Sequence, residues 1–216
     1  MKNRLKSMAM ILTLWAAPVA AGQFDTAVDV YKSGDLSRAY GLFHRLAERE
    51  NGLAQLNVAT MTAKGDGIIQ NDKDALFWAW RVRFAGASQA IPTLRYLITR
   101  TTPEDQTAVA QDLRFTYGDQ FDQGEVRAAL KMGRTLNEVY HPRDVHGAYV
   151  WFTIAAALDV TYAKALRETI SKELDVPARA IAQDEATMRL SQWCLRQTEK
   201  PMVCGNIFAK LGSSPA

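Results

Sequence analysis

Residues 54–86 read AQLNVATMTAKGDGIIQNDKDALFWAWRVRFAG. Small or apolar residues recur at Ala54, Val58, Ala59 and Thr62, a loop carries Gly65 and Gly67, and Ala75, Trp78 and Val82 resume at helical spacing. This pattern predicts two antiparallel helices joined by a short loop, with the glycines at positive-φ turn positions.

The flanking sequence repeats the same design. Upstream, Ala27, Val30 and Tyr31 precede the turn Ser33-Gly34-Asp35, and Ala39, Leu42, Phe43, Leu46 and Ala47 follow it, predicting a shorter hairpin near 24–51. Downstream, Ser88 is placed to cap a helix with Pro92 in its first turn and a stripe of Leu94, Leu97 and Ile98. Thr102, Pro103 and Asp105 then form an N-cap, N1 and N3 set for a helix running to about Phe115, with a loop expected over 117–124.

The second half echoes the first at an offset of about 73 residues. Ala128, Met132, Gly133 and Leu136 align with Ala54, Val58, Ala59 and Thr62, and Ala148 and Trp151 align with Ala75 and Trp78. The intervening loop, Tyr140-His141-Pro142-Arg143, is one residue shorter than its counterpart and lacks both glycines. Ala39, Ala75, Ala110, Ala148 and Ala182 mark second helices about 36 residues apart, the period of stacked helical hairpins. Hairpins are expected near 24–51, 53–86, 88–117, 126–159 and 162–195, within a repeat domain over 22–211 whose C-terminal tail covers 196–216. Beyond a last helix through Trp193 and Cys194, the short apolar run Ile207-Phe208-Ala209 is expected to cover the end of the stack, and residues 212–216 to be disordered.

Ala54, Val58, Gly65, Gly67, Ile68, Ala75, Trp78 and Gly86 stand in register with the Sel1-like repeat, a relative of the tetratricopeptide repeat, which the chain therefore resembles. It departs from that pattern at Ala59, Thr62, Asn71 and Asp74, while Asp144 restores the family's Asp in the second half. The resemblance implies an all-α, right-handed α-solenoid of about five stacked antiparallel hairpins. Ala54, Gly65, Gly67, Ala75, Trp78, Gly133, Ala148 and Trp151 would be its packing positions.

The first 21 residues have the layout of an export signal. Lys2, Arg4 and Lys6 precede an apolar run from Met8 to Ala17, Pro18 breaks it, and Val19-Ala20-Ala21 supplies small residues for cleavage after Ala21. An uncleaved anchor is the alternative, although a membrane span needs about 20 apolar residues. The whole sequence has 26 Lys and Arg against 23 Asp and Glu, and the excess of three lies in this leader. The neutral remainder gives no basis for a nucleic-acid footprint, which concentrates Lys and Arg on one face. The cysteines, Cys194 and Cys204, would meet an oxidising compartment after export and are expected to form a disulfide, the alternative being two reduced thiols.

Motifs for chemistry are sparse. His44 lies on a helix face, and His141, Asp144 and His146 match no zinc signature, so no metal and no cofactor are expected. Lys64-Gly65-Asp66-Gly67 lacks both Walker spacing and the acidic series of a calcium loop. Trp78 and Trp151 fit packing positions, whereas Trp80 lies off that stripe and is expected to be exposed. Glu173 and Glu185 sit in ordinary amphipathic pattern, and neither Ser-x-x-Lys nor Gly-x-Ser-x-Gly occurs.

No catalytic residue is therefore assigned. Polar residues on the first helices, Gln55, Arg95, Arg127, Lys131 and Arg134, are expected to line a concave groove. The resemblance implies a non-catalytic periplasmic adaptor or regulator that binds a protein partner, with the periplasmic sensor domain of an inner-membrane kinase as one such partner. The charge balance predicts no nucleic-acid partner, the lack of a long apolar run after the leader predicts no membrane span in the mature chain, and the end hairpins leave room for oligomers. The alternative from a different class is a cell-wall-acting enzyme or peptidoglycan binder, which would need a pocket with clustered acidic or nucleophilic groups.

Overall fold

The computed structural model describes residues 17–199 and 201–211, and these form eleven α-helices with no strand among them. In chain order they are α1 (Ala17–Lys32), α2 (Leu36–Glu48), α3 (Gly52–Lys64), α4 (Asp72–Phe84), α5 (Ala90–Ile98) and α6 (Pro103–Asp122). There follow α7 (Ala128–Arg134), α8 (Val145–Ala157), α9 (Ala163–Ile170), α10 (Val176–Arg196) and α11 (Met202–Leu211). Residues 1–16 of the expected leader and the expected disordered end, 212–216, lie outside the described residues. No described helix is long and apolar enough to cross a membrane.

Side-chain caps fix where most helices begin. Asp35, Asn51, Asn71, Asp144 and Asp175 each accept a hydrogen bond from the backbone N–H three residues on, satisfying a donor that the first turn leaves unpaired. Thr102 and Asp105 form the predicted capping box of α6, with Pro103 at N1. The start of α5 differs from the expectation: Gln89 occupies the N-cap without a side-chain bond, and Ser88 contributes only its carbonyl, to Ile91 N–H. Leu94 and Leu97 are buried there, but Ile98 faces outward.

The largest departure concerns α6, which continues through the expected loop to Asp122. Val109, Leu113, Tyr117 and Phe121 recur every fourth residue, and all four are buried. That stripe outweighs the helix-breaking tendency of Gly118, because tertiary packing supplies most helical stability in proteins.

Helices α1 to α4 pack each against the next. From α4 onward the arrangement branches: α5 packs on α4 and touches α3, while α6 packs on α4 and then on α7. The second half does the same, with α9 and α10 both packed on α8. The third and fifth pairs thus share a preceding helix as their platform, in place of the self-packed hairpin read from the sequence. The cores join in one cluster, which contains the expected packing residues Ala54, Ala75, Trp78 and Ala148.

Gly65 and Gly67 both have positive φ, as predicted, and Gly65 is the left-handed C-cap of α3. Gly67 has a further constraint, since a Cβ there would overlap the backbone of Leu36 and lie 2.6 Å from Ser37 N. The equivalent exit from α7 has no glycine. Residues Thr135–Val139 widen into a π-helical turn, Tyr140 N–H bonds Thr135 C=O, and the chain leaves through Tyr140 in extended conformation. The wider turn does the work of a left-handed residue. Gly133 lies in α7 just before this turn, where a Cβ would come within 2.5 Å of the Phe152 ring.

Candidate functional site: two related clefts on the second helices

Second helices from the two halves enclose two clefts. One, of about 480 Å³, lies among α6, α8 and α10. The other, of about 370 Å³, lies among α2, α4 and α6. Their linings correspond in sequence. Lys73, Phe77, Trp78 and Asp112 of the smaller cleft occupy the positions that His146, Val150, Trp151 and Glu185 occupy in the larger, 73 residues later in every case. Phe115, 79% exposed, lines both.

Each tryptophan is wedged against the second helix of the preceding pair. In the smaller cleft Trp78 meets His44 of α2 edge-on at 5.3 Å and Phe77 at 5.5 Å. In the larger one Trp151, half-buried, meets Phe121 of α6 edge-on at 5.2 Å, and Phe121 stacks on Trp193 of α10 at 4.9 Å. The indoles therefore hold neighbouring helices apart at a fixed spacing; Trp78 is only 5% exposed, whereas Trp151 keeps part of its ring open to the cleft. Trp80 is half-buried against Phe84 at 5.5 Å, not free in solvent as its register suggested.

Polar groups of the larger cleft form a chain across α8 and α10. His146 Nε2 lies 2.8 Å from Glu185 Oε2, Arg189 Nε donates to Glu185 Oε1 at 2.8 Å, and the Arg189 guanidinium reaches over the Trp151 ring at 6.0 Å. The hydrogen bond with His146, aided by Arg189 and opposed by partial burial, holds the Glu185 carboxyl below the usual carboxylate range. Asp144 caps α8 by accepting from Gly147 N–H at 2.8 Å. The lining contains no hydroxyl or thiol side chain. Among the described residues no group of three or more His, Cys, Asp or Glu is arranged to hold a metal ion.

The residues expected to line a concave groove are dispersed. Arg95 and Arg127 are exposed. Gln55 is wholly buried and donates to Ala47 C=O at 3.1 Å, because it faces the turn between α2 and α3 and not solvent. Lys131 and Arg134 are largely covered and already paired. Lys131 Nζ donates to Glu50 at 2.8 Å and lies 5.1 Å from the centre of the Tyr117 ring. Arg134 makes a two-point bond to Glu138 and covers Phe84 at 4.7 Å.

Glu50 is the centre of a cluster that the sequence did not announce. Its carboxylate accepts from Arg81 at 2.7 Å, from Gln120 at 3.0 Å and from Lys131, drawing α4, α6 and α7 to the turn after α2. Arg81 is only 3% exposed and covers the Trp78 ring at 4.5 Å. Burial alone would raise the Glu50 carboxyl; the bonds and charges of Lys131 and Arg81 overcome it and hold the group at about 2. Tyr117, wholly buried beside them, has its hydroxyl pushed well above the ordinary phenol range by burial.

Cys194 and Cys204 stand at bonding distance, S–S 2.02 Å, and both are fully buried. The bond ties α11 to α10, against which α11 packs. Compared with known proteins, the chain matches no family model and no curated protein.

Proposed function

We propose that this chain is an exported, non-catalytic adaptor of Sel1-like type, a right-handed stack of five helical pairs that binds a protein partner in the periplasm. The binding face we assign is the row of second helices that carries the two clefts. The observation behind this reading is the recurrence of one cleft design, tryptophan wall, acid and base, at the same offset in both halves. Packing alone does not require a charged residue at Lys73 and Asp112, or a polar one at His146 and Glu185. A partner gripping two similar sites does.

The chemistry of the larger cleft favours binding over the cell-wall-acting alternative. A glycosidase needs a carboxyl raised to act as a general acid, whereas Glu185 is shifted downward by its neighbours. The lining also offers no nucleophilic hydroxyl or thiol for His146 to activate. The buried disulfide suits an oxidising compartment. The resemblance suggests a partner class, the periplasmic sensor domain of a membrane kinase.

A photo-crosslinking amino acid placed at Phe115, at Arg95 and at the exposed Tyr162 in living cells tests the assignment. A discrete protein adduct from position 115, absent at 95 and 162, is the expected result. An adduct from 95 alone would return the binding face to the first helices, and no adduct from either would overturn the adaptor reading.

A further inference from the structure

Both clefts hold more carboxylate than they neutralise internally. In the larger cleft Glu185 is matched by Arg189, and Asp122 by Arg196 at 2.7 Å. Asp119 accepts only from the neutral amide of Gln123, and Asp144 only from a backbone N–H. Against these two stands Arg114, which has no ion-pair partner among the described residues. In the smaller cleft Asp74 accepts from the Asn71 amide and Asp112 has no side-chain partner among the described residues, while Lys73 is the one cation of the lining. With His44 and His146 neutral, and with Arg196 counted beside the Asp122 that it pairs, each cleft carries a surplus of one negative charge.

The walls complete the pattern. Tyr40, Phe77 and Trp78 surround one cleft, Met132, Leu136, Val150 and Trp151 floor the other, and Phe115 stands between. An apolar floor beneath an acidic rim suits a side chain with a long methylene stem and a cationic head, which packs its stem and presents its charge to carboxylates and ring faces.

We propose that the partner presents a basic segment whose Lys or Arg side chains enter the two clefts, one in each. This inference rests on the docking face assigned above. The clefts lie on either side of α6, about two helix spacings or roughly 20 Å apart, a span that an extended chain crosses in about six residues.

The probe is a blocked heptapeptide, Arg-Gly-Ser-Gly-Ser-Gly-Arg, titrated into the full mature chain and compared with the same peptide bearing Glu at both ends. The readout is the indole N–H resonances. The arginine peptide is expected to shift Trp78 and Trp151 while leaving Trp193, which lines neither cleft, in place, and the glutamate peptide to shift neither. D112N combined with D119N removes one exposed carboxylate from each cleft and should weaken binding about three- to tenfold. Unmoved indoles, equal binding of the glutamate peptide, or an affinity indifferent to the double substitution would overturn the proposal. A cellular adduct at Phe115 with an inert arginine peptide would keep the docking face and remove its basic occupant; shifted indoles with no adduct would do the reverse.

Discussion

Glu50 combines two unfavourable conditions. Its φ of 61° lies in the left-handed region, which costs a non-glycine residue about 1–2 kcal/mol, and its carboxylate is partly withdrawn from water. Both persist because three side chains from three helices donate to it. Glu50→Gln should therefore destabilise the protein by about 1–2 kcal/mol at pH 7, a figure reduced for the solvent that still reaches the carboxylate. The sign of its pH dependence follows from the depressed value of about 2 against an ordinary 4.5. As pH falls the unfolded chain takes up the proton first, so this contribution is complete above pH 4.5 and disappears toward pH 2. Urea midpoints of the two proteins should converge over that window, and a gap that persisted unchanged at pH 2 would contradict the assignment.

At the same scale, Gly67→Ala should cost more than about 2 kcal/mol, since the residue holds a positive φ against the backbone at the start of α2. A thermal midpoint equal to that of the parent would show that the loop yields. Gly65 and Gly67 were legible in the sequence because turn chemistry is local. Glu50 was not, because nothing near it in sequence marks a partner 81 positions away. Lys131, read as a groove residue, is engaged by that same distant carboxylate, and Arg134, read likewise, is engaged by Glu138 four residues on.

At the scale of elements, one of the two caps read from the sequence formed and the other, Ser88, did not. A cap needs only four consecutive residues, and the set at Thr102–Asp105 formed as its spacing implied. The end of α6 was less readable: Gly118 and Asp119 look like a loop until the stripe through Tyr117 and Phe121 is set beside the helices that cover it. Gly118→Ala should stabilise the protein by about 0.5–1 kcal/mol, because Gly118 lies within α6 and its added methyl meets nothing within 4 Å. A loss of stability would place a turn at that position after all. The π turn at Thr135–Val139 had no local signature beyond a loop one residue short of its counterpart and empty of glycine.

For the whole molecule, the echo near 73 residues was visible in sequence, whereas the use of α4 and α8 as shared platforms was not, because the period read as self-packed hairpins. The clefts were not foreseen, although their signal was present. Lys73 and His146, and likewise Asp112 and Glu185, are polar at matched positions, and matched polarity is harder to notice than matched alanine. At this scale the final helix is an accessory. Trp193 Nε1 donates to Phe121 C=O at 2.7 Å, fastening α10 to the end of α6, whereas α11 is held by the disulfide and its contacts with α10. Replacing Cys194 and Cys204 together by Ser should lower stability by about 2–3 kcal/mol. Limited proteolysis should then cut first near α11, while the Trp78 and Trp151 resonances stay in place. Displacement of the Trp151 signal would mean that the bond supports the cleft as well as the end of the chain.

Phe115 is a party wall. A guest that pushes this ring aside on one side necessarily changes the room available on the other, so the two compartments cannot fill as strangers. Thermodynamic reciprocity makes the influence equal in both directions. A double-headed guest would consequently register as more, or less, than the sum of its halves, with the sign set by which way a single benzyl group turns.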